Sequence, residues 1–303
     1  VQKLNVVHQS HCFFIIKKNK MGKLEGRVVM ITGAGRGIGR EHALYMASQG
    51  ASVVVNDLGD VSEVVDEIIA AGGKAAGNTD DITTVDGAKN LVGTAINEFG
   101  DLHALVNNAG ILRDKMLVTM DESDWDSVIN VHLRGHFCPT QAAAQYWRNK
   151  AKESGEDSVK AALVHTTSTS GLLGNVGQAN YGAAKAGIAS FSQICAMELT
   201  RYGVRSNAIA PAARTRMTEH TPGFEDMVKV PEDPNAFDAW HPGNVSPMVA
   251  YLVSEDCKFN GETYFVTGGL IQKFIPWAMS DVEGDKLSKD ARWTLDEISA
   301  AFS

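Results

Sequence analysis

The chain has 303 residues, 44% hydrophobic and 21% charged, a normal balance for a folded protein with a large core. Its formal net charge of -8 argues against nucleic acid as a partner, and no apolar run reaches the roughly 18 residues of a membrane span. Cys12, Cys138, Cys195 and Cys257 are widely scattered, which argues against a disulfide framework or a C-x-x-C zinc site and for a reducing, cytoplasmic setting.

Residues 1–20 hold Lys3, Lys17, Lys18 and Lys20 and no acid, a charge of +4 against -12 for the rest. The apolar run CFFII is too short for the core of a signal peptide. A basic targeting arm fits, and so does a non-native or disordered extension; the second is simpler, with Met21 as the natural start. Further on, β-branched runs alternate with helix-like stretches. Strands are expected at 28–32, 51–57, 74–81, 102–110, 161–168, 204–211 and 262–269. Helices are expected at 37–50, 61–73, 83–100, around 121–150, at 178–203 and at 245–255. This order predicts a single α/β domain over 21–274, a doubly wound, Rossmann-like parallel sheet of about seven strands. Residues 275–303 form a C-terminal extension with one more helix.

The first strand runs into TGAGRGIG (32–39), which matches the G-x-G-x-x-G dinucleotide fingerprint in neither register but fits T-G-x-x-x-G-x-G, with Thr32, Gly33, Gly37 and Gly39. A strand-to-helix turn rich in glycine is where such a sheet binds phosphate, because backbone N–H groups face the anion. A tight turn with no ligand is the plainer alternative. The second strand ends at Asp57, whose carboxylate is placed to bond a ribose hydroxyl and repel a 2′-phosphate. It argues for NAD over NADP, while Arg36 argues weakly the other way. Asp57 as an ordinary turn residue also fits.

Tyr181 and Lys185 lie four apart in YGAAK and share a helix face. A phenol with a pKa near ~10 is a poor base at neutral pH. A neighbouring ammonium and the positive nicotinamide of NAD favour its phenolate. Ser168, at the end of the fifth strand, faces the same crevice and is placed to bond a substrate oxygen. A Y-x-x-x-K pair alone is usually a coincidence of helix spacing; the glycine loop makes this one informative.

Together the glycine loop, NNAG (107–110), Ser168 and YGAAK resemble, in content and order, the short-chain dehydrogenase/reductase family over roughly residues 24–270. The resemblance implies that Tyr181 is the general acid/base, that Lys185 lowers its pKa and holds the ribose, and that Ser168 orients the carbonyl. It also implies that Thr32, Gly33, Arg36, Gly37, Ile38 and Gly39 cradle NAD, that Asp81 reads the adenine, and that Asn108 and Gly110 line the adenosine side. Thr215 would contact the nicotinamide amide. The family's usual Pro-Gly is Pro211-Ala212 here, with one residue fewer before Thr215. VVVNDLG (53–59), NNAGILRDK (107–115), VHLRGHF (131–137), GNVGQANY (174–181) and RMTE (216–219) further resemble (3R)-hydroxyacyl-CoA dehydrogenase units of type-2 multifunctional enzymes and related bacterial hydroxyacyl-CoA or hydroxysteroid dehydrogenases.

One position departs from the broad family. His132 stands where that family has an asparagine that orders a proton-relaying water; Asn130 is two residues earlier. An imidazole can also relay protons, and simple packing is the alternative. His132 and His136 have i, i+4 spacing, but no H-E-x-x-H glutamate or cysteine cluster supports a metal. The expected activity is NAD-dependent oxidation of a secondary alcohol, foremost a (3R)-hydroxyacyl-CoA, with a hydroxysteroid or steroid side-chain CoA ester as the alternative substrate. An NAD-binding sensor without turnover is the reading from another class. The segment 212–243 is the expected lid, with Met217, Phe224, Met227, Phe237 and Trp240 suited to an apolar substrate or to filling the core. A homodimer or homotetramer is the expected assembly.

Overall fold

A computed structural model describes residues 22–155, 158–215, 228–233, 235–280, 282 and 286–301. The basic segment 1–20 and the lid residues Met217, Phe224 and Met227 lie outside the described residues. The chain divides into two compact units, one ending at Lys273 and one formed by Phe274–Ser303.

In the first unit, β1 (Val28–Thr32), β2 (Ser52–Asn56), β3 (Lys74–Asn78), β4 (Ala104–Asn107), β5 (Ala161–Thr166), β6 (Val204–Pro211) and β7 (Thr263–Thr267) run parallel. The order across the sheet is β3-β2-β1-β4-β5-β6-β7-β8. The eighth strand, β8 (Leu270–Lys273), exceeds the expected seven and pairs antiparallel with β7. Its cause is local: Gly268 and Gly269 form a two-residue reversal between the paired Thr267 and Leu270, with Gly268 at φ 48°. β8 is exposed along its length, which suits an edge strand.

β1 and β5 are buried at every position, as strands covered on both faces must be. Alternate side chains go to opposite layers. Val29, Ile31, Val53, Val55 and Val106 pack with Ala43 and Met46 of α1 (Gly37–Ser48) and with Val64 and Ile68 of α2 (Ser62–Ala70). Val28, Met30, Val54, Leu105 and Leu163 pack instead with Leu91 of α3 (Val85–Phe99) and with Trp147. The chain leaves β1 toward β2 on one side and places β4 on the other. The C-terminal ends of β1 and β4 therefore flank the crevice where such sheets bind ligands.

The helical stretch expected around 121–150 is not uniform. α4 (Glu122–Ile129) passes into a π-helical turn, Asn130–Arg134, and then into α5 (Gly135–Ser154). A π turn accommodates one extra residue and shifts which side chains face inward. His132 and His136 both point into the interior, whereas Asn130 is exposed. In the second unit, the C-terminal helix Leu295–Ala301 starts with a capping box. Glu297 N donates to Thr294 Oγ1 at 3.3 Å, and Thr294 N donates to Glu297 Oε2 at 2.7 Å.

Among the described residues four histidines, His42, His132, His136 and His165, are almost completely buried. Burial pushes His42, His132 and His165 down from 6.5 to about 3, and His136 well below 6.5. They are neutral when folded and free to protonate when unfolded, so stability is held above pH 6.5 and lost as the pH falls below it. Each ring should contribute a loss of about 1 kcal/mol per pH unit toward pH ~4. Urea titrations between pH 7 and pH ~4.5 should show a steep fall in unfolding free energy, approaching about four protons taken up per molecule. A stability flat over that range would mean that these rings do not stay buried and neutral.

Candidate active site at the switch point of the sheet

Beyond Thr32 the loop turns sharply into α1. Gly33 and Gly37 have φ values of 63° and 56°, in the left-handed region. A Cβ on Gly33 would lie 2.7 Å from the Ala109 Cα, and one on Gly39 would lie 2.1 Å from the Gly33 carbonyl oxygen. Ile38 packs against the core. Arg36, exposed and extended, precedes α1 without capping it, and no acid occupies the first turn. Thr84 and Asp121, by contrast, cap α3 and α4 with their side chains. The uncapped N–H groups at the start of α1 and the close-set glycines fit a dinucleotide pyrophosphate in both shape and polarity.

The loop after β4 is bolted to this turn. Thr32 Oγ1 accepts N–H bonds from Asn108 at 3.0 Å and Ala109 at 3.2 Å. Asn108 Nδ2 donates to the carbonyls of Thr32 and Gly33, both at 3.1 Å. Thr32 and Asn108 thus hold backbone in place with the same groups that the sequence marks for the cofactor. On the β2 side, Asp57 Oδ2 accepts the Gly35 N–H at 3.1 Å, so its carboxylate stands at the mouth of the loop. Asp81 is exposed, and its Oδ1 accepts from the Thr83 N–H and hydroxyl, each at 2.8 Å. Thr215 comes close to the glycine loop, its Cγ2 3.9 Å from where a Gly37 Cβ would be.

Ser168 ends the run from β5 and caps the short α6 (Thr169–Leu173), accepting the Ser170 N–H at 3.1 Å. α7 (Ala179–Leu199) brings Tyr181 and Lys185 to the same place, one turn apart. The Ser168 hydroxyl is close enough to Tyr181 to oppose the upward push on its pKa. Lys185 Nζ lies 5.5 Å from the Tyr181 ring centre and donates to the Thr166 carbonyl at 2.5 Å. A Cβ on Gly171 would strike Lys185, so α6 and α7 touch backbone to backbone here. The serine, tyrosine and lysine singled out by the sequence therefore converge.

Their electrostatics add a constraint. Burial pushes Lys185 down to about 7. Burial also pushes Tyr181 up to about 12, opposed by the Ser168 hydrogen bond and reinforced by the Asp114 carboxylate. Desolvation thus favours the uncharged form of both groups and works against the phenolate. A positive nicotinamide beside the phenol acts in the opposite sense.

His132 is fully buried, its ring edge-on to Tyr181 with centres 5.1 Å apart. Nε2 faces the Ile111 backbone, 2.7 Å from the oxygen and 3.0 Å from the nitrogen, so the tautomer decides which bond forms. Burial, followed by the Lys185 charge, pushes the imidazole down to about 3. Gly110 lies against this ring: a Cβ there would be 2.3 Å from the His132 Cε1.

Sequence reasoning missed the residues that tie the β4 loop to α7. Asn180 is fully buried beside the tyrosine. Its Nδ2 donates to the carbonyls of Arg113 and Asp124, both at 3.0 Å, and its Oδ1 accepts the Tyr181 N–H at 2.7 Å. Gln178 Nε2 donates to Asp114 Oδ2 at 2.7 Å. Their partners are distant and largely backbone, so no spacing in the chain reveals them. Of the expected lid, Arg214 pairs with Asp238 and donates to the Val228 carbonyl at 2.9 Å. Trp240 is half-buried and Phe237 is exposed.

Residues 27–225 match a family model described as short chain dehydrogenase. The chain is 46% identical over 261 residues to the hydroxyacyl-CoA dehydrogenase ChsB1 of Mycobacterium tuberculosis, covering 84% of this chain and 81% of that one. It is 44% identical over 253 residues to the peroxisomal multifunctional enzyme type 2 of Drosophila melanogaster, covering 79% of this chain and 39% of that longer protein. In structure it resembles a short chain dehydrogenase from Mycobacterium avium, with a TM-score of 0.82, 42% identity, and coverage of 93% and 94% of the two chains. With its eight-stranded sheet, glycine turn and converging Ser168, Tyr181 and Lys185, the chain belongs to the short-chain dehydrogenase family and is an oxidoreductase acting on CH–OH groups.

Proposed function

We propose that the protein is an NAD-dependent dehydrogenase that interconverts a (3R)-3-hydroxyacyl-CoA and the 3-oxoacyl-CoA. The observation that carries the chemistry is the convergence of Ser168, Tyr181 and Lys185 at the crevice beside β1 and β4. The acyl-CoA class is supported by the likeness to a hydroxyacyl-CoA dehydrogenase. Asp57 at the mouth of the glycine loop supports NAD: a carboxylate there receives ribose hydroxyls and opposes a second phosphate.

When bound, NAD supplies the hydride acceptor. Tyr181 takes the proton of the substrate hydroxyl, and Ser168 holds the same oxygen as charge develops on it. Lys185 balances the phenolate and bonds the ribose. The glycine loop, with Arg36 and Ile38, would hold the pyrophosphate, Asp81 would meet the adenine, and Thr215 the nicotinamide amide. Asn108 and Gly110 shape the cofactor wall through their contacts with Thr32, Gly33 and His132. His132 passes protons between Lys185 and water as a neutral ring, since protonation is suppressed by burial.

The setting we assign is the cytoplasm, supported by the free, buried thiols of Cys138, Cys195 and Cys257. Among the described residues no helix is long and apolar enough to cross a membrane. The assembly we assign is a homodimer or homotetramer. A groove of about 950 Å³, lined by Ile129, Leu133, Phe137 and Phe191, supports self-association, as does the exposure of Ile194 and Met197 on α7.

Replacing Tyr181 with phenylalanine keeps the ring and removes the proton-transfer group. Turnover of a (3R)-hydroxyacyl-CoA should fall at least about 10²-fold while NAD binding persists. Near-normal turnover would remove Tyr181 from the chemistry. For cofactor choice, kcat/KM should favour NAD over NADP, and Asp57→Ala should narrow the gap. Equal use of both by the unmodified protein would overturn the role of Asp57. His132→Ala should slow turnover with little change in the Kd for NAD, and His132→Asn should recover part of the rate. A folded, fully active His132→Ala would reduce the histidine to packing.

A further inference from the structure

At the N-terminal ends of β5 and β6, a strand's length from the cofactor crevice, a cleft of about 460 Å³ opens beside the segment that links α5 to β5. Lys160, Arg205, Lys258 and Glu255 line it, together with Ser158 and Thr200. Hydrogen bonds fix its frame. The Val159 and Ala161 N–H groups donate to the Tyr202 and Gly203 carbonyls at 3.0 and 3.2 Å. Asn260 Nδ2 donates to Thr200 Oγ1 at 2.7 Å, and Asn260 Oδ1 accepts the Ser206 N–H at 2.9 Å. Gly203, at φ 76°, is pressed against Ser158: a Cβ there would lie 2.1 Å from the Ser158 Oγ.

Arg27, only 4% exposed, lies behind the wall that Lys160 and Glu255 form. Its Nη2 donates to the carbonyls of His103 and Lys160, both at 3.1 Å. Its Nη1 stands 3.6 Å from Glu255 Oε1, and neither Nη1 nor Nε has a hydrogen-bond partner. Glu255 Oε2 is 3.4 Å from Lys160 Nζ, so the carboxylate is shared loosely between two cations. The Arg205 guanidinium donates to the Leu252 and Ser254 carbonyls at 2.9 and 2.7 Å, and its charge bears on Arg27. Two other acids nearby are already engaged, Asp101 with Lys150 and Tyr146, and Asp256 with Lys23. Lys160 itself has φ 50°, the one positive φ outside glycine among the described residues. A lysine in the left-handed region is strained. Here its carbonyl is fixed by Arg27 while the residue lines the cleft.

Arg27, Lys160, Arg205 and Lys258 thus stand against the carboxylate of Glu255, the acid that lines the cleft among the described residues. A buried guanidinium with unmatched N–H groups, set beside like charges, calls for an anion. A metal cation would be repelled. A large polyanion is disfavoured by the net charge of -8 on the whole chain, which leaves a small one. We propose that this cleft binds a phosphate group, as the free ion or a small monoester, with Lys160 and Lys258 as its direct donors and Arg27 and Arg205 as charges behind the wall. The phosphate balances the positive charge that Glu255 alone leaves over. The site is distinct from the glycine loop, which follows the C-terminal end of β1; the strands are parallel, so the cleft lies at the other edge of the sheet.

The test is isothermal titration of the full chain with sodium phosphate at neutral pH, with ionic strength held constant by sodium chloride. Two charge-assisted contacts correspond to a Kd on the order of 1 mM. Lys258→Ala and Lys160→Gly each remove one donor and should weaken binding about tenfold. Both lysines are exposed, and glycine suits the φ at position 160, so both variants should fold. Taking the difference between the unmodified protein and each variant removes any phosphate captured by the glycine loop. Glycerol phosphate in place of inorganic phosphate separates the two sources: tighter binding assigns the site to monoesters, weaker binding to the free ion. No saturable difference at ten times the expected Kd overturns the proposal. So does equal binding by all three proteins, which would mark an adventitious ion only.

Discussion

A lysine ammonium buried at the end of a parallel strand organises this site. Lys185 has almost no contact with solvent, and the Thr166 carbonyl holds its Nζ. Burying a cation is costly unless its donors are met. The elements around it are arranged accordingly: α6 meets α7 at Gly171, β5 ends where its last carbonyl faces the ammonium, and the π turn supplies the imidazole of His132. A lysine poised near neutrality responds to small changes in its surroundings, which suits a group whose proposed task is to exchange protons.

The cofactor side obeys a different constraint, close approach of backbone. Gly33 sits against Ala109, and Gly39 against Gly33, with no space for a side chain at either glycine. Thr32 and Asn108 then lock the two loops by four hydrogen bonds of 3.0–3.2 Å. Such a rigid turn can present N–H groups to a pyrophosphate without reorganising, and preorganisation of this kind reduces the entropy lost on binding.

His132 links the two halves. Its ring abuts Tyr181 on one side and fills the space left by the missing side chain of Gly110 on the other. The glycine that ends NNAG is thus required by a histidine one helix away. Two further buried imidazoles, His136 on α5 and His165 on β5, stack with ring centres 5.8 Å apart. These rings are neutral by desolvation, so they add hydrogen-bonding capacity without adding charge.

Local patterns determined much of this protein. Runs of β-branched residues marked β1 and β2, short apolar runs marked β5 and β6, and the glycine stops at Gly50 and Gly100 marked helix ends, because strand burial and left-handed termini depend on adjacent residues. The spacing of Tyr181 and Lys185, and the glycines at 33, 37 and 39, were legible for the same reason: a helix turn and a tight loop are short-range geometry. The Gly268-Gly269 signal for β8 was also in the chain, although seven strands were expected. Only the tertiary structure decided that the long middle helix opens into a π turn, that Gly110 receives His132, and that Asn180 ties Arg113 and Asp124 to the tyrosine. It alone set Asn107 and His136 against His165 and the Thr166 carbonyl against Lys185. Those contacts join strands and helices far apart in the chain, and their partners are often backbone atoms or buried rings, which leave no periodicity to read.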